Sequence, residues 1–432
     1  MGAWRIIRSL NGDQRNTFLA SFLGWTLDAF DYFILTFVVA HIATDFKQAI
    51  TTVTLAITIT LAMRWLGALI FGRLADRFGR RVPLMIDIMF YSLIELLTAF
   101  SPNFTIFFIL RGLYGIGMGG EWGVGASLAM EALPSESRGF FSGLLQEGYS
   151  FGYLIAAIVF FLVYPSFGWR PLFIIGVLPA LLVLFIRSKV PESPVWQQHR
   201  EIQQVRPRAA SRVTARSVVL IIYAVLLMSA FNFMSHGTQD LYPTFLEKQR
   251  DFATGTVTIV AIIYNVGAII GGMTFGYLSQ YWGRRRMIII AAAFGIVVIP
   301  LWVFAPGTAL LAVGAFLMQF FVQGAWGIIP VHLNEISPTG ARGTFPGFTY
   351  QLGNVISAPA ATLEAAFAST YFKTGKLPNF AEAQAVIALI VFLAVIIFTA
   401  LGRWAIGSEK RGVDFVREDE SVVSEAIGNV NS

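Results

Sequence analysis

Twelve apolar stretches divide this chain, at residues 18–42, 52–75, 82–100, 104–131, 139–164, 170–187, 217–245, 254–279, 287–305, 307–334, 343–371 and 380–403. Each is close to the ~20 residues with which an α-helix crosses ~30 Å of hydrocarbon. Lipid offers no water to backbone N–H and C=O groups, so only helices and closed barrels can span it. Barrel strands alternate in polarity over about ten residues, whereas these stretches are continuous and apolar all round. The expected fold class is therefore an all-α membrane protein with twelve transmembrane helices.

Composition supports that expectation, since 56% of the chain is hydrophobic, 13% is charged and the mean hydropathy is +0.67. A charge-rich soluble globule is excluded. The first stretch is too long for a signal peptide, contains Asp28 and Asp31, and lacks a small-residue cleavage site, so it is read as a helix. The absence of cysteine excludes disulfides and thiolate metal sites. His41, His199 and His332 are scattered, so no metal and no cofactor are expected.

The net charge of +6 invites a nucleic-acid reading, but its distribution favours a lipid bilayer as the partner. With the N-terminus taken as internal, 23 Lys and Arg fall on that side and 6 on the other. That asymmetry follows the positive-inside rule and predicts a multi-pass protein of a bacterial-type inner membrane, with both termini cytoplasmic.

One long polar connection, near residues 187–217, splits the stretches six and six. The predicted units are a cytoplasmic N-terminus (1–17), a six-helix bundle (18–187), an interdomain loop (188–216), a second bundle (217–403) and a charged tail (404–432). The halves echo each other. "GRLADRFGRR" from Gly72 and "GYLSQYWGRRR" from Gly276 are offset by 204 residues, as are "EALPSESRG" from Glu131 and "EISPTGARG" from Glu335. Two matches at one offset predict duplicated, pseudo-symmetric six-helix bundles.

With these motifs the chain resembles the major facilitator superfamily, whose characteristic turn between helices two and three is the run Gly72 to Arg81. "PESPVW" after the sixth stretch is similar to that superfamily as well. Physically, Gly72 and Gly79 suit a tight turn, and Arg73, Arg77, Arg80 and Arg81 suit an anionic leaflet. Topological anchoring alone would explain the arginines. The resemblance implies more: Asp76 latches the cytoplasmic side, with Arg138 of the next such loop as its expected partner. Gln280 stands where the second copy would carry Asp, which predicts a weaker latch there.

Charges within spans cost ~2.5–3.5 kcal/mol each on insertion scales, so each is a functional candidate. Arg64 and Arg111 stand against seven carboxylates singled out by the reading: Asp28, Asp31, Glu95, Glu121, Glu147, Asp240 and Glu364. One-to-one pairing leaves acids in excess, which suits a proton carrier. Asp28 and Asp31 are three apart, about 60° around a helix, so one of them can hold a proton, or both can serve as structural hydrogen-bonding groups. Arg111, in the glycine-rich "RGLYGIGMGGEWGVG", needs an anion, either an acid such as Glu121 or Glu147 or a substrate. Arg64 needs the same, or it snorkels.

The segment "NFMSHGTQDLYPT" sets Asn232, His236, Asp240 and Thr244 four apart, with Ser235 and Gln239 beside them. Such a polar stripe cannot face lipid, and in a transporter of two bundles it belongs on the central cavity. Tying helices together by hydrogen bonds is the other reading. This segment resembles the seventh-helix motif of the lactate and pyruvate permeases in the sialate:proton symporter family. The resemblance implies proton-coupled import of a small organic anion by a functional monomer, not an enzyme. On that reading Arg111, Asn232 and His236 meet the carboxylate, with Arg64 a further candidate, and Gln239 meets a neighbouring oxygen. Asp28, Asp31, Glu121 and Asp240 are the proton candidates, and Gly72, Asp76, Arg77, Gly79, Arg80 and Arg138 form the cytoplasmic gate. Sialic acid is the alternative substrate, and a carboxylate sensor without transport is the alternative class.

Overall fold

The computed structural model describes residues 3–205, 215–338, 340–374, 377–409 and 412–415. Parts of the expected interdomain loop (206–214) and of the expected tail (410–411 and 416–432) lie outside the described residues.

After the short α1 (Ala3–Ser9), the first four crossings are α2 (Gly12–Asp45), α3 (Ile50–Phe78), α4 (Arg81–Ala99) and α5 (Phe104–Ala132). The fifth is α6 (Arg138–Gln146) with α7 (Gly148–Phe167), and the sixth is α8 (Arg170–Ile175) with α9 (Pro179–Lys189). Helix α10 (Pro194–Val205) follows outside the spans. The second half comprises α11 (Ala215–Gln239) with α12 (Tyr242–Lys248), α13 (Thr254–Trp282), α14 (Arg284–Val303) and α15 (Thr308–Trp326) with α16 (Ile329–Ile336). It ends with α17 (Phe345–Ser357), α18 (Ala360–Thr370) and α19 (Phe380–Ile406). A two-residue antiparallel hairpin, β1 (Lys373–Thr374) and β2 (Leu377–Pro378), joins the last two crossings.

All twelve apolar stretches are thus helical crossings. Ten are long and apolar enough to be recognised on those grounds alone. The other two are α5, which carries Arg111, Glu121 and Glu131, and the α17–α18 pair, interrupted at Ala358 and Pro359. Side-chain chemistry sets several helix starts. Asn11 and Gln14 form a reciprocal capping box on α2, and Asn103 accepts the Ile106 N–H at 3.0 Å. The outer surface is apolar, with Phe161 76% and Val297 72% exposed, as lipid-facing positions should be.

The two halves meet along two seams, α3 against α17 and α6 against α13. Both lie toward the face that carries α1, α10 and the turns at Gly79 and Gly283, here called the basic face. Toward the opposite face the halves part around a cavity.

Candidate functional site

The cavity measures about 570 Å³ and is lined from both halves. It runs from Thr54 and Thr58, exposed near the start of α3, down to Gln146 and Trp326. Helix α11 contributes Asn232, Ser235, His236 and Gln239, and Asp240 follows at its end, so this part of the polar stripe read from the sequence faces this space. Thr244 does not. The chain bends at Asp240 and Leu241, and Pro243 starts α12 because it has no N–H to carry the helix through. His236 lies with Nδ1 3.0 Å from Asp240 Oδ2 and Nε2 3.4 Å from Asn354 Oδ1. Both ring nitrogens can donate to these oxygens together only in the imidazolium form. Gln239 Nε2 donates to Gln319 Oε1 at 2.7 Å, joining α11 to α15 across the cavity wall.

Arg64 lines the same cavity but is only 3% exposed, and its Nε and Nη2 have no hydrogen-bond partner among the described residues. Its position depends on the glycines of α5. A side-chain carbon on Gly119 would collide with the Arg64 carbonyl, so α3 can lie against α5 only because that carbon is missing. The glycine stripe of α5 is thus a surface for close helix packing.

Arg111 is placed differently from the expectation. It pairs with Glu95, Nη1 to Oε2 at 2.6 Å, with both side chains fully buried, and it stacks over Tyr114 at 4.0 Å. It pairs with neither Glu121 nor Glu147, and it does not line the cavity. The reason is that α4 runs beside α5 and brings Glu95 to the guanidinium, closing it off from the open space. Asp28, Asp31 and Glu121 are also fully buried behind the lining, and of the four proton candidates only Asp240 faces the cavity. Neither carboxylate oxygen of Asp31, Asp87 or Glu121 has a hydrogen-bond partner among the described residues.

On the basic face the repeat becomes a pair of matched clamps. Arg80 grips Glu131 through Nε (3.1 Å) and Nη2 (2.9 Å), and Arg284 grips Glu335 through Nε and Nη2, each at 3.0 Å. Glu192 accepts the backbone N–H groups of Arg80 and Ser193. Burial raises its carboxyl above the ordinary value, and those backbone bonds draw it back.

The expected pairing of Asp76 with Arg138 is not made. Asp76 instead accepts from Gly343 N (2.7 Å), Thr344 N (3.1 Å) and Thr344 Oγ1 (2.6 Å), and it lies 3.3 Å from Arg80. It ends α3 beside the start of α17, whose free N–H groups take a carboxylate, whereas Arg138 belongs to the other seam. Gly72 allows this closeness, because a Cβ there would stand 2.6 Å from the Thr344 Cα. The repeat-equivalent Gln280 accepts the Gly139 N–H at 3.3 Å and donates to Ser135 O at 3.0 Å. A neutral amide with longer contacts thus stands where the first half uses a carboxylate. Arg77, exposed, and Gly79, at φ 96°, lie at the adjoining turn.

Residues 21–362 match the Major Facilitator Superfamily. The chain belongs to that superfamily. Membership makes it a transport protein rather than an enzyme. It is 30% identical over 390 residues to a carboxylic acid transporter protein homolog of Saccharomyces cerevisiae, covering 84% of this chain but only 63% of the yeast protein. It is 28% identical to the sialic acid transporter NanX of Escherichia coli, covering 86% of this chain and 91% of that protein. A double-Trp mutant of XylE superposes with a TM-score of 0.76 at 20% sequence identity, covering 93% and 98% of the two chains, a likeness of fold.

Several residues of this superfamily member escaped the sequence reading. Asp87 lies inside an apolar stretch and is fully buried, and Glu95 has its partner on another helix, which the sequence does not reveal. Gln319 and Gln323 both line the cavity from α15. Their spacing of four in "MQFFVQ" is the same signal that marks the α11 stripe.

Proposed function

We propose that this protein is a proton-coupled symporter of a small monocarboxylate such as lactate or pyruvate, working by alternating access. Arg64 carries the reading. A guanidinium buried beside a cavity with unpaired N–H groups is a site for a carboxylate, which it binds through two parallel hydrogen bonds. His236 and Asn232 stand on the opposite wall to receive the same anion, and Gln239 a neighbouring hydroxyl or carbonyl. Arg111 has its anion in Glu95, so in this reading it belongs with the buried acids rather than with the substrate. Asp28, Asp31 and Glu121 behind the wall, and Asp240 on it, are the proton candidates. The motif of α11 supports membership of the sialate:proton symporter family, and the similarity to the yeast carboxylic acid transporter protein homolog supports the carboxylate.

The basic face is taken as cytoplasmic, with both termini there, by the distribution of Lys and Arg. The units 18–187 and 217–403 rock about the cavity, and the loop from Gly72 to Arg81, with Arg138 of the next such loop, forms the inner gate of a functional monomer. Sialic acid is the second reading, favoured by the NanX relative and by a cavity within the ~300–1,000 Å³ range that holds drug-sized ligands. Uptake of labelled lactate into proteoliposomes under an imposed pH gradient tests the proposal. Accumulation that collapses with the gradient is expected, and indifference to the gradient defeats proton coupling. Competition by sialic acid separates the two substrates.

A further inference from the structure

Arg138 left the expected latch, and its actual contacts lead to the chain's own tail. After α19, residues 407–409 and 412–415 make one tie after another on the basic face. Gly407 O accepts from Arg285 Nη1 at 2.9 Å, the Glu409 carboxylate takes the Arg284 backbone N–H, and Gly412 N donates to Glu335 Oε1 at 3.3 Å. All three ties are to the second half. The next is to the first half, where Arg138 Nη1 donates to Val413 O. Phe415 then ends fully buried, with its ring 3.9 Å from the guanidinium carbon of Arg138 and 4.4 Å from that of Arg342.

Those two arginines are repeat equivalents, 204 residues apart, one in each half. Both are almost completely buried, at 4% and 1% exposed. A guanidinium out of water is stabilised by an aromatic face, and a ring has two faces. Phe415 therefore touches both halves with one side chain, beside the α6–α13 seam where Gly139 N donates to Gln280 Oε1 at 3.3 Å. Any motion that opens this seam separates Arg138 from Arg342, and the ring can follow only one of them.

We propose that Arg138 and Arg342 form a binding slot for an aromatic side chain, that Phe415 of the tail fills it, and that the described tail residues 407–409 and 412–415 act as a strap holding the inner gate shut. The proposal rests on the alternating-access reading. It assigns to the tail a function in the transport cycle: the strap sets how much of the population stands open toward the basic face. A cation–π contact to each arginine, both away from bulk water, corresponds together to about a tenfold bias toward the closed seam.

The chain contains no cysteine, so reporters can be introduced cleanly. Phe78→Cys and Trp282→Cys place spin labels at the ends of α3 and α13 on the basic face, where the native residues are 53% and 56% exposed. Pulsed dipolar spectroscopy in nanodiscs then reads the separation of the two halves. Phe415→Ala and Phe415→Leu are expected to raise the long-distance population about tenfold, and Phe415→Tyr to leave it as in the parent. Leucine keeps the apolar bulk and loses the aromatic face, so a Leu variant that behaves like the parent overturns the slot. So does an Ala variant whose distribution matches the parent. In that event, a parent distribution that still shifts on addition of sodium lactate leaves the transport reading standing. A parent that responds to neither lactate nor pH sinks that reading as well.

Discussion

Arg64 and Arg111 have the same chemistry and differ in what stands beside them. Arg111 and Glu95 are both shut away from water, and such a pair is costly to break because the survivor is left as a buried, uncompensated charge. Glu95→Leu is expected to lose about 3–5 kcal/mol of stability, read as a lowered melting temperature in detergent. Glu95→Leu combined with Arg111→Leu should recover most of it. A double variant no more stable than the single one would show that Arg111 is needed for something other than its partner. Among the described residues Arg64 has no such partner, so Arg64→Gln should fold with an unchanged melting temperature. Losing a charge-assisted bond of about 1.5–3 kcal/mol to the substrate should raise KM for lactate by roughly 10–150-fold. An unaltered KM would remove Arg64 from the site. Both arginines stood out in the sequence as charges inside apolar stretches. Which of them was paired did not, because Glu95 sits on a different helix and reaches Arg111 through the packing of α4 against α5.

Helices here are positioned by where side chains are missing as much as by where they are present. At Gly119 the backbone of α3 occupies the place of a Cβ, so Gly119→Ile should prevent the α3–α5 contact and with it the placing of Arg64. Loss of a monodisperse peak in size-exclusion chromatography is the expected result, and a well-folded variant that still transports would contradict the packing argument. At the seam, Asp76→Asn keeps the shape but removes the charge that faces the start of α17. The closed state should weaken, seen as greater modification of a single cysteine placed in the α3–α17 seam; equal modification in both proteins would sink the latch. Element-scale features were partly legible. The four-residue spacing of Asn232, His236 and Asp240 announced a cavity face, but the same spacing carried on wrongly to Thr244, since periodicity alone does not register the break that Pro243 imposes.

At the scale of the whole molecule, a monoanion carried with one proton makes a neutral load, on which the membrane potential does no work. Lactate accumulation in proteoliposomes should therefore follow the pH gradient and remain unchanged when a potassium diffusion potential is imposed at constant pH. A strong response to the potential would require a different stoichiometry. The twelve crossings and the duplication at an offset of 204 follow from the sequence by itself, because hydrocarbon thickness fixes the length of each span and a repeated motif needs no coordinates to be seen. The partners of the buried charges are another matter. Asp76 meets α17 rather than Arg138, Arg111 meets Glu95, and Phe415 lies between Arg138 and Arg342. Ion pairs and ring contacts depend on a few ångströms between helices distant in sequence, and those distances exist only once the two bundles have packed together.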